Sequence, residues 1–466
     1  MRNTRHLLLA YYGDDFTGST DALEFLSRAG IKTVLFIEPP TPQTLARYEG
    51  LQAVGVAGMT RAMPPAEMEL TLQPAFEALK ALGAPHVHYK VCSTFDSSPQ
   101  IGSIGQAIDI GAEVFNAPFI PLLVAAPILG RYCVFGNLFA RMGIGSQGEI
   151  FRLDRHPSMS RHPVTPADES DLRLHLSRQT EKTIGLVDVL ALAESDQSVQ
   201  EKLASQIENG KQVILFDALT EEHLSAAGKL IDKYAAHDKP LFSVGSSGIS
   251  MALGKHFTEQ GIVQPQNNWP KAGKAKNMLV VSGSCSPVTA RQIAYAVDHG
   301  FAEISLDTPA IANSANLEST VAGYVNRIAE LLDNGTPVIV HTSLGNDDPR
   351  FAQTYQIFTA KGLTPNTIRT KTAELFGTAL GLIAVGVAGK TILKRMIIAG
   401  GDTSGYVARA MGIEAVEMIA PLSPGAPLCK AYAPGSPTHG LEVNFKGGQV
   451  GSEDYFEIVL QGKNIS

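Results

Sequence analysis

The feature that most limits how this chain can fold is a recurring order of pieces: an apolar run, a loop of small or acidic residues, a helical stretch, and another apolar run. It first occurs near the start, where HLLLAYY reads as a buried strand, GDDFTG as a turn, STDALEFLSRAG as a helix closed by Gly30, and IKTVLFI as the next strand. It returns at residues 277–306, where NMLVV is a strand, SGSCS a loop, Pro287 suits the first helical position, Gly300 ends the helix and FAEISL is extended again. A third occurrence runs through RMIIA, GGDTS, GYVARAMG and IEAVEMI. Three such units predict an α/β protein with largely parallel sheets, whose sites lie at the carboxyl ends of strands.

At 466 residues and 44% hydrophobic content the chain can bury a large core, and its length favours two or three domains. The net charge of −7, with both signs interspersed, leaves no basic stripe, so neither nucleic acid nor an anionic membrane is expected as a partner. A small-molecule ligand fits better. The N-terminal MRNTRHLLLAYYGDD has too short an apolar run for a signal peptide, and no run is read as a membrane span. Cys92, Cys133, Cys285 and Cys429 are widely spaced, which suits reduced thiols and a cytoplasmic location.

The segment EQGIVQPQNNWPKAGKAKN, residues 259–277, mixes Pro, Gly, Asn and Lys without apolar periodicity and reads as a linker. It separates a domain of residues 1–258 from one of residues 278–466. KPLFSVGSSGISMALGKHF, a further strand, turn and helix, completes the first. Residues 141–170, rich in Gly, Arg, His and Pro, read as irregular.

Some motifs mislead. AVGVAGKT at residues 384–391 resembles a phosphate-binding loop, but the spacing before it is helical and the residues after it are extended, the reverse of the required context. A helix ended by Gly389, with Lys390 near its negative end, is the better reading. GIGSQG at residues 143–148 matches a dinucleotide pattern without its strand and helix, which counts against a dehydrogenase. A phosphatase of the aspartyl-nucleophile type needs D-x-D, whereas Asp14 and Asp15 are adjacent and point apart in extended backbone. His156 and His162 lack a third metal ligand.

The remaining loops carry chemistry. GGDTS at residues 400–404 brings backbone N–H groups and a helix start to where an anion can sit, with Asp402 suited to magnesium or a ribose. SGSCS at 282–286 and KGGQVG at 446–451 are of the same kind, and three such loops in one domain point to a nucleotide. In the other domain GDDFTG offers carboxylates, GMTRAM offers Arg61, and YKVCSTFDSS offers Lys90, Ser93 and Thr94. Cations, hydroxyls and carboxylates together suit a small polyhydroxylated acid. Of the two aspartates, capping accounts for one and leaves the other to explain.

The set GDDFTGSTDA, the K-V-C-S-T segment, RHPVTP, VGSSG, VSGSCSPVT, GGDTS, SPGAPLC and KGGQVG resembles the four-carbon acid sugar kinase family, in order and through nearly the whole chain. The resemblance implies an N-terminal domain for the sugar acid and a C-terminal one for ATP, with transfer across a cleft between them. Acid contacts are expected from Thr17, Arg61, Lys90, Ser93, Thr94 and Ser247. The resemblance implies nucleotide contacts from Ser282 and Ser284, from Gly400, Gly401, Asp402 and Thr403, and from Gly447 or Gly448; Gly283 and Ser404 in these loops, and Gly425 of SPGAPLC, are expected with them. Asp15, or else Asp14, would activate the accepting hydroxyl, Arg61 and Lys90 would grip the carboxylate, and Asp402 would hold Mg2+. An oligomer of identical chains is left open. Family members usually read K-I-D-S-T-L-R-G-N where this chain has KVCSTFDSSPQIG: Cys92 stands for the Asp, and R-G-N is gone. Threonate and 3-oxo-tetronate thereby lose ground to a branched acid such as 3-oxo-isoapionate. A sensor that binds the same ligands without turnover is the rival from another class.

Overall fold

The computed structural model describes residues 7–142, 148–162, 164–345 and 347–463. The chain divides into two compact units after Asn267, inside the segment read as a linker.

The first unit is organised around a sheet whose strands, in chain order, are β1 (Leu9–Gly13), β2 (Thr33–Phe36), β3 (Ala53–Ala57), β4 (His86–Lys90), β5 (Ile120–Leu123), β9 (Ile184–Val187), β10 (Val213–Phe216) and β11 (Leu241–Gly245). Between β5 and β9 lie β6 (Arg131–Val134), β7 (Asn137–Arg141) and β8 (Ile150–Arg152), which form a separate small antiparallel sheet. The main sheet runs β2-β3-β1-β4-β11-β5-β10-β9, and every neighbouring pair is parallel. Strands covered by helices on both faces read as continuous apolar runs, as LAYYG and AVGVA do here, buried along their whole length. Phe76, on helix Pro65–Ala81, packs its ring against Tyr12, Tyr89, Phe115 and Phe242 and anchors one face. The chain passes from β1 outward to β2 and β3, then returns to β4 on β1's other side. The strand order therefore reverses between β1 and β4, where ligands of open α/β sheets bind.

The second unit holds β12 (Met278–Ser282), β13 (Ala302–Ser305), β14 (Val338–His341), β15 (Arg395–Ala399), β16 (Ala415–Ser423), β17 (Ala426–Tyr432) and β18 (Glu442–Lys446). Its order is β13-β14-β12-β15-β18-β17-β16, parallel as far as β18. The third sequence repeat is thus not a simple βαβ unit. Strand β16 does not pair with β15; it folds into an antiparallel hairpin with β17, which is antiparallel to β18. Pro424 and Gly425 form the hairpin turn, and Gly425 takes φ +79. The reversal point lies between β12 and β15, where Ser282 is in register with Ala399.

Pro287 does begin a helix (Pro287–Asp298), capped by Ser286. The Gly-Lys-Thr is a helix end, as read: helix Pro365–Ala388 stops at Gly389, and Lys390 donates to Asn326. The reading that no run reaches membrane length is overturned, because Thr367–Ala388 is long and apolar enough to cross one by length and composition. Its small residues explain the composition without a membrane: Gly377 lies against Tyr406, Gly381 against Ala410 and Gly386 against Val325, where a methyl would collide. The four cysteines are free thiols, and residues 148–162 are mostly short turns around β8, as the irregular composition suggests. The GIGSQG motif, apart from Gly148, lies outside the described residues.

Candidate functional site

In the first unit, Asp14 and Asp15 leave the carboxyl end of β1 at the reversal point. The Asp14 N–H donates to the Lys90 carbonyl at the end of β4, holding the two strand ends together at 2.8 Å. Asp15 is the N-cap of helix Phe16–Arg28: its Oδ1 accepts from Gly18 N–H at 2.9 Å and its Oδ2 from the Thr17 hydroxyl at 2.8 Å. Arg61, on the single turn Thr60–Ala62 after β3, reaches both acids. Its Nε and Nη2 donate to Asp14 at 2.9 and 2.7 Å, and its Nη1 and Nη2 donate to Asp15 at 2.9 and 2.8 Å. The expectation that adjacent carboxylates point apart therefore fails here. The chain turns from strand to cap between them, and one planar fork spans both.

Burial pushes the Asp14 carboxyl above its ordinary value against the pull of Arg61, and the neighbouring Asp15 charge adds to the rise. For Asp15 burial also acts upward, but Arg61, Lys90 and the Thr17 and Gly18 hydrogen bonds outweigh it and hold the group low. Sequence reading put Asp15 first for hydroxyl activation, whereas the geometry commits it to the helix. Lys90 is 2% exposed, with Nζ 3.6 Å from Asp21 Oδ2, and the same carboxylate oxygen accepts from the Ser247 hydroxyl. Thr94 bonds the Cys92 thiol at 3.0 Å, and burial pushes that thiol up. Ser93 is half-buried beside them. Phe95 takes φ +58, a left-handed conformation unusual for a bulky residue, and the chain turns there towards Asp96 and a small cavity lined by Thr94, Asp96, Ser97, Glu169 and His175.

Asp21 and Asp96 were not singled out from sequence. Asp21 stands four residues after Thr17, one helical turn on, and that spacing could have found it. His156 and His162 are structural: each Nδ1 accepts backbone N–H bonds from its own loop.

In the second unit the three glycine loops meet at the carboxyl ends of β12, β15 and β18. Gly283 N–H donates to the Ala399 carbonyl and Gly400 N–H to the Lys446 carbonyl. A Cβ on Gly283 or Gly400 would lie 2.6 or 2.2 Å from the Thr403 hydroxyl, so the backbone must be bare at both places. Ser284 donates to Thr289, whose hydroxyl donates to the Gly448 carbonyl, and Ser282 and Ser284 are buried. Helix Asp402–Ala410 opens at Gly401 with no side-chain cap, leaving its first N–H groups for another acceptor. Ser404 closes back on the Gly400 carbonyl at 2.6 Å. Extending the β17–β18 register sets Gly425 opposite Gly447, so the hairpin turn lies at the same sheet end.

Sequence reading missed Lys446, although it begins the last loop. It is wholly buried; its Nζ donates to Thr289 Oγ1 at 3.1 Å and to the Gly447 carbonyl at 3.0 Å, and burial pulls its pKa down to about 7. Asp402 is 39% exposed at its side chain and pairs with Arg369 at 3.0 Å. Among the described residues no group of three or more His, Cys, Asp or Glu is placed to hold a metal.

Residues 9–253 match the model of a sugar-binding N-terminal domain, and residues 279–456 that of a nucleotide-binding C-terminal domain. The chain belongs to the four-carbon acid sugar kinase family. It is 43% identical over 458 residues to a 3-oxo-isoapionate kinase of Paraburkholderia graminis, covering 98% of this chain and 95% of that one. It is 28% identical over 452 residues to a 3-oxo-tetronate kinase of Salmonella typhimurium, covering 97% and 98% of the two chains. A solved structure from Salmonella typhimurium LT2 superposes with a TM-score of 0.73 at 26% identity over 98% of this chain and 99% of the other. A Haemophilus influenzae structure shares the fold, with a TM-score of 0.67 at 22% identity and coverage of 96% and 98%.

Proposed function

We propose that this member of the family transfers the γ-phosphoryl group of ATP to a hydroxyl of an oxo or branched sugar acid, with 3-oxo-isoapionate the first candidate. The observation that carries the reading is the pairing of chemistries. The unit that matches a sugar-binding domain presents acids held by a cation at its strand reversal, and the unit that matches a nucleotide-binding domain presents bare backbone and hydroxyls at its own. Phosphoryl transfer asks mainly for positioning and charge neutralisation. The substrate hydroxyl oxygen attacks the γ-phosphorus, the bond to the β–γ bridging oxygen breaks, ADP leaves, and the hydroxyl proton passes to a carboxylate. Asp14 is that carboxylate: its raised pKa suits a base, and no helix depends on it. Arg61, itself anchored on Asp15, holds it in place.

The phosphates lie against Gly283, Gly400, Gly401 and the first turn of helix Asp402–Ala410, with Gly447, Gly448 and Lys446 on the other side. Magnesium, when bound, neutralises phosphate charge. Asp402 is the carboxylate these loops offer it, in keeping with the ion's habit of taking one or two carboxylates with phosphate oxygens.

The substrate choice rests on Cys92 and Asp96. Relative to K-I-D-S-T-L-R, a carboxylate has become a thiol and a guanidinium has become a carboxylate, so the pocket wall presents different partners to substrate hydroxyls. Such changes alter preference more than they weaken binding overall. The test is kcat/KM, read as ADP release, across 3-oxo-isoapionate, 3-oxo-tetronate, D-threonate and D-erythronate. A preference for 3-oxo-isoapionate is expected; a preference for D-threonate or D-erythronate would refute the substrate argument. Absence of turnover with every acid would favour a binding-only sensor.

A further inference from the structure

The two cations first assigned to the substrate carboxylate are both engaged by the protein's own acids. Arg61 donates through Nε, Nη1 and Nη2 to Asp14 and Asp15, and Lys90 faces Asp21. A third cation stands at the same end of the sheet. Arg131 begins β6 and is bridged to Ala126, three residues beyond the end of β5. The intervening carbonyls meet the Ser247 turn: Val124 accepts from the Ser246 hydroxyl, and Ala125 abuts Gly248.

Arg131 is 6% exposed. Its Nη1 donates to the carbonyls of Leu129, Gly130 and Arg141 at 2.9, 3.4 and 3.2 Å, while its buried Nε has no partner among the described residues. No carboxylate of the described residues forms an ion pair with it, although Cys92, Asp96 and Asp21 lie within electrostatic reach. Burial lowers its pKa, but a guanidinium stays protonated in proteins. A buried permanent charge with an unused donor and no direct ion pair is a state that a bound anion completes. Within that reach, Asp96 Oδ1 and Asp21 Oδ1 are buried acceptors without a hydrogen-bond partner among the described residues. One orphan donor on a cation beside two orphan acceptors matches a molecule that carries a carboxylate and hydroxyls on neighbouring carbons.

We propose that Arg131 receives the carboxylate of the sugar acid and that Asp96 accepts a hydrogen bond from one of its hydroxyls. The proposal rests on the sugar-acid reading above and replaces Arg61 and Lys90 in the gripping role; Arg61 then serves the acidic pair, and Lys90 balances Asp21.

The experiment compares wild type with Arg131→Gln and Arg131→Lys, using 3-oxo-isoapionate, D-erythronate and the neutral amide of D-erythronate. Folding is followed by Tm and by calorimetric ATP binding, which reads the second unit. KM for the acids is expected to rise about tenfold or more in Arg131→Gln, with ATP affinity unchanged, as loss of a charge-assisted bond implies. The preference for erythronate over its amide should fall by a similar factor, and Arg131→Lys should keep part of it. A purely structural Arg131 would lower activity on acid and amide alike and leave their ratio intact, which overturns the proposal. If wild type turns over none of the acids, calorimetric binding of 3-oxo-isoapionate decides separately. Binding lost in Arg131→Gln upholds the Arg131 site while the kinase reading falls, and binding unchanged in the variant, or absent from wild type, overturns the site.

Discussion

The two units begin with the same arrangement of strands and put opposite chemistry on it. In each, the first strand lies between the third and the fourth, so the chain reverses direction across the sheet beside that first strand. In the first unit the reversal is crowded with fixed charge: Asp14, Asp15 and Asp21 against Arg61 and Lys90. In the second it is built from glycine, hydroxyls and a helix start, with Lys446 a wholly buried cation at the loops. Under the proposed function the difference follows the ligand. Activating a hydroxyl requires a carboxylate whose pKa is tuned by its neighbours, whereas a polyanion is held by backbone N–H groups that need no neutralising partner when it is absent.

The sharpest way to break this contrast is to neutralise Asp14, the proposed base. Asp14→Asn should lower kcat by about 10² or more, the scale of positioned general-base catalysis, with calorimetric ATP affinity unchanged. A larger loss in Asp15→Asn at an unaltered Tm would return the catalytic role to Asp15.

Next comes the bare backbone of the second unit. Gly400 takes φ +152, and a Cβ there would lie 2.2 Å from the Thr403 hydroxyl. Gly400→Ala should therefore cost about 1–3 kcal/mol, read as weakened ATP binding with sugar-acid binding intact. Unchanged ATP affinity would remove this loop from the nucleotide site.

Lys446 gives a smaller effect with a sign. Its folded pKa is depressed to about 7, so above that pH the unfolded chain binds the extra proton and the destabilisation due to burying the charge fades as pH rises. Bound phosphate works the other way and favours the protonated lysine. ATP affinity should be highest below about pH 7 and fall as pH rises through it. Lys446→Met should lose about tenfold in affinity together with that pH dependence, while Lys446→Arg, charged throughout, should bind with a flat profile. A wild-type affinity independent of pH would count against Lys446 as a phosphate ligand.

The smallest effect belongs to Asp402. Half-exposed and already paired with Arg369, it should change magnesium-ATP affinity about threefold on substitution by Ala, within the range of an exposed ion pair. The same loss measured without magnesium would show that Asp402 does not serve the ion.

Sequence by itself determined the parts that depend on local order. Apolar runs of four or five residues followed by small-residue loops become strands that end in sites, Pro287 and Gly389 mark helix ends, and the three glycine loops announce themselves by composition. Tertiary structure decided what depends on residues far apart in the chain. Arg61 joins two adjacent acids from 46 and 47 positions away, Lys446 meets Thr289 across 157, and Ser247 reaches Asp21 across 226. It also decided which aspartate caps the helix, that β16 turns into a hairpin, and that Arg131 is buried without a direct ion pair among the described residues. A hydrophobic period is written in neighbouring residues and survives any packing. A charge acquires its role from burial and from partners that only the folded chain brings within reach.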